Sequence, residues 1–214
     1  MSASSTWNAI RRGMPSPYRR TRREERGQSA VEFALIFPIF ILLVVGLMEF
    51  SIAFNALLSI NFASRDAALL ASEAASDAGA DCIVLNSIES DVNAPARGSL
   101  INQVRIYWSD QNGVERANAA NVYGRTGSTT CTYPNGSQIT VPYSLVGGAQ
   151  YPESDRCDVL AGCPGTPAHA GLDTIGVSIT YTHSWITPLA NLVTMGGTGF
   201  QFTHSTAMRM EPAR

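Results

Sequence analysis

Sixteen consecutive residues, Phe33 to Met48, carry no charge, and after Glu49 the apolar character resumes through Phe50, Ile52, Ala53 and Phe54. About 20 helical residues cross a hydrocarbon core, so Phe33 to Phe54 is long enough to span a bilayer. Closed barrels aside, only a helix satisfies its own backbone there. Pro38 falls in the first turns of that helix, where a missing N–H matters less and a mild kink is expected.

Charge sets the expected direction of the span. All 15 basic residues are arginine, and seven of them (Arg11, Arg12, Arg19, Arg20, Arg22, Arg23, Arg26) precede the apolar run, with only Glu24 and Glu25 against them. The overall charge of −2 thus averages a basic leader and an acidic remainder. Basic residues before a span hold the N-terminus in the cytoplasm and leave everything after Phe54 outside. Because the cluster adjoins a span, it does not read as a nucleic-acid surface. A cleaved secretory signal would need a shorter apolar core and a nearby small-x-small site. Here the run continues into "NALLSINFASRDAALLASEAASDAGA", which reads as helix.

One carboxylate sits oddly. Glu32 stands at the mouth of the apolar run, five residues after Gly27 and directly before Phe33. The stretch "RGQSAVEFALIFPIFILLVVGLMEFSIAF" resembles the N-terminal segment of the TadE-like pseudopilins, minor subunits associated with tight-adherence (Flp, type IVc) pili. "TAMRMEP" near the C-terminus also looks like that family. The resemblance is strongest over residues 25–65 and thin in the middle of the chain. It implies a minor pilin-like assembly subunit in the inner membrane, single-pass, with its head outside and with possible incorporation into a surface pilus. It implies that a prepilin peptidase cuts between Gly27 and Gln28. It also implies that Glu32, with Phe33 beside it, meets the new N-terminal ammonium of a neighbouring pilin subunit. The expected partners are therefore the peptidase, other pilin and pseudopilin subunits, Tad assembly components and the lipid bilayer. Glycine permits the close backbone approach a peptidase needs, and a carboxylate near lipid calls for a paired destination. The competing reading is a permanent single-pass anchor carrying an extracytoplasmic binding head. Glu49 follows Glu32 by about 26 Å of helix. It reads either as the marker of the second interface or as a helix contact to a polar partner on another Tad component.

Beyond the span, Leu57, Leu58, Phe62, Ala63, Leu69 and Leu70 recur at roughly helical intervals. One unbroken helix from Ala30 to Ala78, about 73 Å long, is predicted, with an apolar stripe that needs a partner. A short second helix over "DCIVLNSIESDVNAP" should stop at Pro95. The period then becomes alternating in "QVRIYWSD", "TIGVSITYTH" and "FQFTHSTAMRM", with "DQNG" as a hairpin turn and "TTCTYPNGSQITVPYS" as strand, turn, strand. "SWITPLANLVTMGGTG" has room for a short helix, and 144–171 reads as an irregular loop. The expected fold class is α+β, a long N-terminal transmembrane and stalk helix packed on a small antiparallel β-sheet head, pilin-like. The segments are a cleaved leader 1–27, a transmembrane helix 28–54, a stalk 55–80 and a head 81–214.

Cys82, Cys131, Cys157 and Cys163 all fall on the exported side, where disulfides are expected, and four cysteines allow three connectivities. Cys157 and Cys163 could close a small ring, and Cys82 to Cys131 would then tie the second helix to the sheet. A zinc site would want tighter Cys pairs or more His than His169, so no metal is assigned. His183 and His204 read as satisfied sheet histidines, and Asp155 and Asp158 as solvated loop acids. No nucleophile, base and orienter come together, so no catalytic residue, no cofactor and no enzyme activity are expected.

Overall fold

The computed structural model describes residues 21–133, 135–158, 163, 169, 171–187 and 199–210, with the backbone alone for 21–26. The expected leader up to residue 20, the turn at Pro134, most of the short helix after Trp185 and the closing Glu211 and Pro212 lie outside the described residues. The chain divides into two compact units, Met1–Val44 and Val45–Arg214. In the first, the described residues form the start of helix α1 (Thr21–Ala74), with every side chain from Gly27 to Leu43 exposed. This helix is long and apolar enough to cross a membrane.

The second unit is the head. It holds the remainder of α1, a second helix α2 (Ala80–Asp91), and strands β1 (Ile101–Ser109), β2 (Glu115–Gly124), β3 (Thr129–Thr132), β4 (Gln138–Val141), β5 (Ser144–Leu145), β6 (Thr174–Ser184) and β7 (Gly199–Arg209). Five strands form an antiparallel sheet in the order β5-β2-β1-β6-β7, and β3 and β4 make a separate hairpin. Along β6, Ile175, Val177, Ile179, Tyr181 and His183 alternate inward and are buried, as the period of two requires.

The face of α1 that enters the core is made of small residues. Ala53, Ala56, Ile60, Ala63, Ala67 and Ala71 are buried at spacings of three and four, while Leu57, Leu58, Phe62 and Leu69 face outward. The expected leucine stripe is therefore the outer face, and alanine is the inner one. The buried positions of this face are thus filled mainly by methyl groups, with Ile60 the larger side chain among them. α1 also begins earlier and ends sooner than the predicted Ala30–Ala78. Its C-terminus at Ala74 is followed by Ala75 at φ 43° and Gly79 at φ 87°, left-handed conformations that stop a helix and that glycine adopts without strain.

Two strands escaped the sequence. β2 reads "ERANAANVYG", too rich in Ala and Asn to show alternation, and β5 is only two residues long. The irregular loop expected over 144–171 is in part packed: Tyr151, Arg156, Cys157 and Asp158 are buried, the last receiving a hydrogen bond from Ser76 at 2.5 Å. Asp158 is thus no solvated carboxylate. Asp155 is half-buried in a 3-10 turn at Glu153–Asp155. That turn is a cap: Glu153 accepts the N–H groups of Gly79 and Asp81, both at 2.8 Å, at the start of α2. The helix supplies no side-chain cap of its own, so a carboxylate 72 residues beyond Asp81 satisfies two donors at its start.

Candidate processing and assembly segment

Gly27, Gln28, Glu32 and Phe33 all lie on continuous helix in the first unit. A side chain added at Gly27 would meet nothing within 4 Å. The Gln28 side chain donates to Glu32 Oε1 at 3.0 Å, one turn on, so the residue following the expected cut and the carboxylate share one helix face. Phe33 is 63% exposed, and its ring lies beside that of Phe37, centroids 5.1 Å apart. The segment thus presents an outward carboxylate and aromatic with no buried partner of their own. A peptidase needs extended substrate, and glycine is about 0.8–1 kcal/mol less favourable than alanine in a helix, which eases local unwinding at this bond.

Glu49 is enclosed by its own chain. It is 4% exposed, and its carboxylate accepts hydrogen bonds from the backbone N–H of Ile186 at 3.0 Å and of Thr187 at 2.9 Å and lies 3.2 Å from His183 Nε2. His183 in turn lies among Trp185 and Phe200, centroids 6.4 and 5.2 Å away. These partners lie more than 130 residues downstream, beyond the reach of any local spacing argument.

The cysteines form two disulfides, Cys82–Cys131 and Cys157–Cys163. The first joins α2 to β3 and the second closes a ring of sequence separation 6. Near α2 lies a polar cluster that sequence reasoning missed. The Arg156 guanidinium is fully buried and pairs with Asp81. It also donates to Ala75 O at 3.2 Å, just past the C-terminus of α1. Asp81 receives Asn121 Nδ2 at 2.8 Å and Tyr123 OH at 2.7 Å. Burial, and then the Asp81 carboxylate, push the Tyr123 phenol well above its ordinary pKa. Alongside, Asp173 accepts Tyr151 OH at 2.7 Å and Cys157 N–H at 3.0 Å and pairs with His169, whose ring stacks on Trp108. Every acid here has structural partners, and among the described residues no group of three or more His, Cys, Asp or Glu could hold a metal.

His204 is satisfied by the stalk: Asn61 lies 2.7 Å from its Nε2 and Ser64 Oγ 2.8 Å from its Nδ1, with Thr206 3.1 Å from the same hydroxyl. Burial and the nearby Arg65 hold this imidazole below its ordinary pKa.

No curated protein and no solved structure matches the chain. Residues 27–69 match the family model described as TadE-like protein. The match begins at Gly27, takes in Glu32 and Glu49, and ends on the stalk, so the N-terminal segment of this chain is similar to that of the TadE-like proteins.

Proposed function

We propose that this chain is a minor pilin-like subunit of a tight-adherence pilus, cut after Gly27 by a prepilin peptidase and assembled through Glu32. The observation that carries the reading is the exposed Gln28–Glu32 pair on the helix that opens the TadE-like segment. Cleavage would place a new ammonium on Gln28, and a carboxylate at the mouth of an apolar helix is best satisfied by such a charge on a neighbouring subunit. The arginines before the span keep the scissile bond on the cytoplasmic side and the head outside. Enclosure of Glu49 and Ala53 in the head supports ending the lipid-covered stretch near Met48 rather than Phe54. Helix packing between unlike surfaces propagates as a filament.

The test uses the mature N-terminus together with crosslinking. In cells with an active peptidase, the recovered chain should begin at Gln28, and Gly27→Val should keep the leader. A Cβ at this position meets nothing within 4 Å, so retention reports on processing rather than folding. Glu32→Ala should be cut normally but lose most crosslinking to other pilins at equal membrane level. A wild-type chain that keeps its leader, or unchanged crosslinking of Glu32→Ala, would return the protein to a plain membrane anchor.

A further inference from the structure

β6 and β7 outrun the rest of the sheet. β1 begins opposite Tyr181, so the residues from Thr182 to Ser184 and their partners from Gly199 to Gln201 continue as a two-stranded ribbon. This end of the ribbon is clamped to α1 by the bonds from Ile186 and Thr187 to Glu49. From Thr174 to Met208 the sequence has no Asp, Glu, Lys or Arg, and Asp173 and Arg209 lie at the opposite end of the hairpin. On α1, Glu49 is the only charged residue from Phe33 to Ser64, and it is turned inward. The outward side chains here are uncharged and the large ones are apolar: Met48 (59% exposed), Phe50 (68%) and Phe54 (50%) on the helix, Ile186 (60%) and Phe200 (40%) on the hairpin, with the smaller polar Ser51, Asn55, Ser184 and Gln201 between them.

We infer that the hairpin end, Trp185, Ile186 and Phe200, is a foot that rests in the lipid interface where α1 leaves the bilayer. The reading rests on residues 33–48 crossing a membrane. Continuity of the chain then selects the occupant: Glu49 directly follows that run, and its hydrogen bonds hold Ile186 and Thr187 beside it. Aromatic side chains concentrate at this depth, where an apolar ring and a polar edge are both accommodated. Saturating Glu49 with protein donors removes the one local charge that lipid would have to solvate. The foot gives the head a second attachment and fixes its height above the membrane.

The full chain in phosphatidylcholine vesicles tests this through tryptophan quenching by brominated acyl chains. Trp7 is first replaced by Phe, and Trp185 emission is read as the difference between W7F and W7F/W185F. We expect about a twofold loss with lipid brominated near the headgroup end, and a smaller loss with bromine near the chain end. Should W185F fold poorly, Ile186→Trp in W7F, compared with W7F itself, reads the same depth. A W7F/F40W chain reports on the span. Quenching of the F40W reporter with none at 185 or 186 overturns the foot alone, and an unquenched F40W reporter overturns the membrane span and the foot with it. Absence of quenching at 186 combined with concentration-dependent crosslinking there would assign the patch to a second copy instead, and also overturns the inference.

Discussion

Replacing Arg156 by methionine should unbalance the head more than any other single change at the junction of α1 and α2. The side chain is fully buried and serves two elements at once, donating to the carbonyl of Ala75 just past the end of α1 and pairing with Asp81 in the first turn of α2. Methionine fills much of the volume but supplies no donor. Asp81 would keep only the neutral donors Asn121 and Tyr123. Breaking a buried pair from one side costs about 3–5 kcal/mol, because an uncompensated charge stays inside. That is a large share of the 5–15 kcal/mol that typically holds a domain together. With a urea slope of about 2 kcal/mol/M, the midpoint should fall by about 1.5–2.5 M. The assay is urea unfolding of the full chain in micelles, followed by tryptophan fluorescence. Asp81→Asn combined with Arg156→Met should cost less than the sum of the single changes, since the double variant buries no unpaired charge. A midpoint shift under about 0.5 M for Arg156→Met, or simple additivity in the double variant, would refute the claim that this pair is a desolvated strut.

Two further outcomes follow from the same head. The disulfides should differ in worth: on chain entropy alone, Cys82–Cys131, with a separation of 49, contributes about 4 kcal/mol, and Cys157–Cys163, with a separation of 6, about 2 kcal/mol. Urea midpoints of the two paired Cys→Ser variants should fall in that order, and an equal or reversed order would contradict it. His204 has a folded-state pKa below its ordinary 6.5. The unfolded chain therefore takes up the proton first as pH falls, and the stability present above about 6.5 is lost as pH drops through the folded pKa. The wild-type midpoint should fall more between pH 7.5 and 5.5 than that of His204→Gln, and equal slopes would show that His204 is not the source.

What was legible in the sequence was whatever repeats along it. The apolar run, the second helix and the strands β1, β6 and β7 announce themselves through period, and the β3–β4 hairpin through Pro-Asn-Gly. β2 was invisible because its inward residues are Ala119, Asn121 and Tyr123, and Asn121 and Tyr123 face Asp81 rather than a uniformly apolar core. Arg156, Glu153 and Asp158 looked like members of a polar loop, since nothing local marks an acid or base whose partner sits on a distant helix. The stalk helix misled in the opposite sense: its leucines drew the eye, whereas its alanines are the buried face. Of the site, the Gly27–Glu32 spacing was readable because it is a local pattern. The enclosure of Glu49 was not.

That enclosure also has a chronology. The donors that cover Glu49 arrive with residues 183 to 187, long after the helix has been made, and the edge strand that packs against Asn61 and Ser64 comes later still, near the chain's end. For most of synthesis the carboxylate has no protein partner and must stay wet. Only once residues 183 to 187 are made and reach α1 can it exchange water for backbone donors, a long-range closure of the kind that is intrinsically slow. Insertion of the helix and completion of the head are therefore separate events, and a chain that stops before residue 199 would lack the strand whose His204 meets Asn61 and Ser64 on the helix.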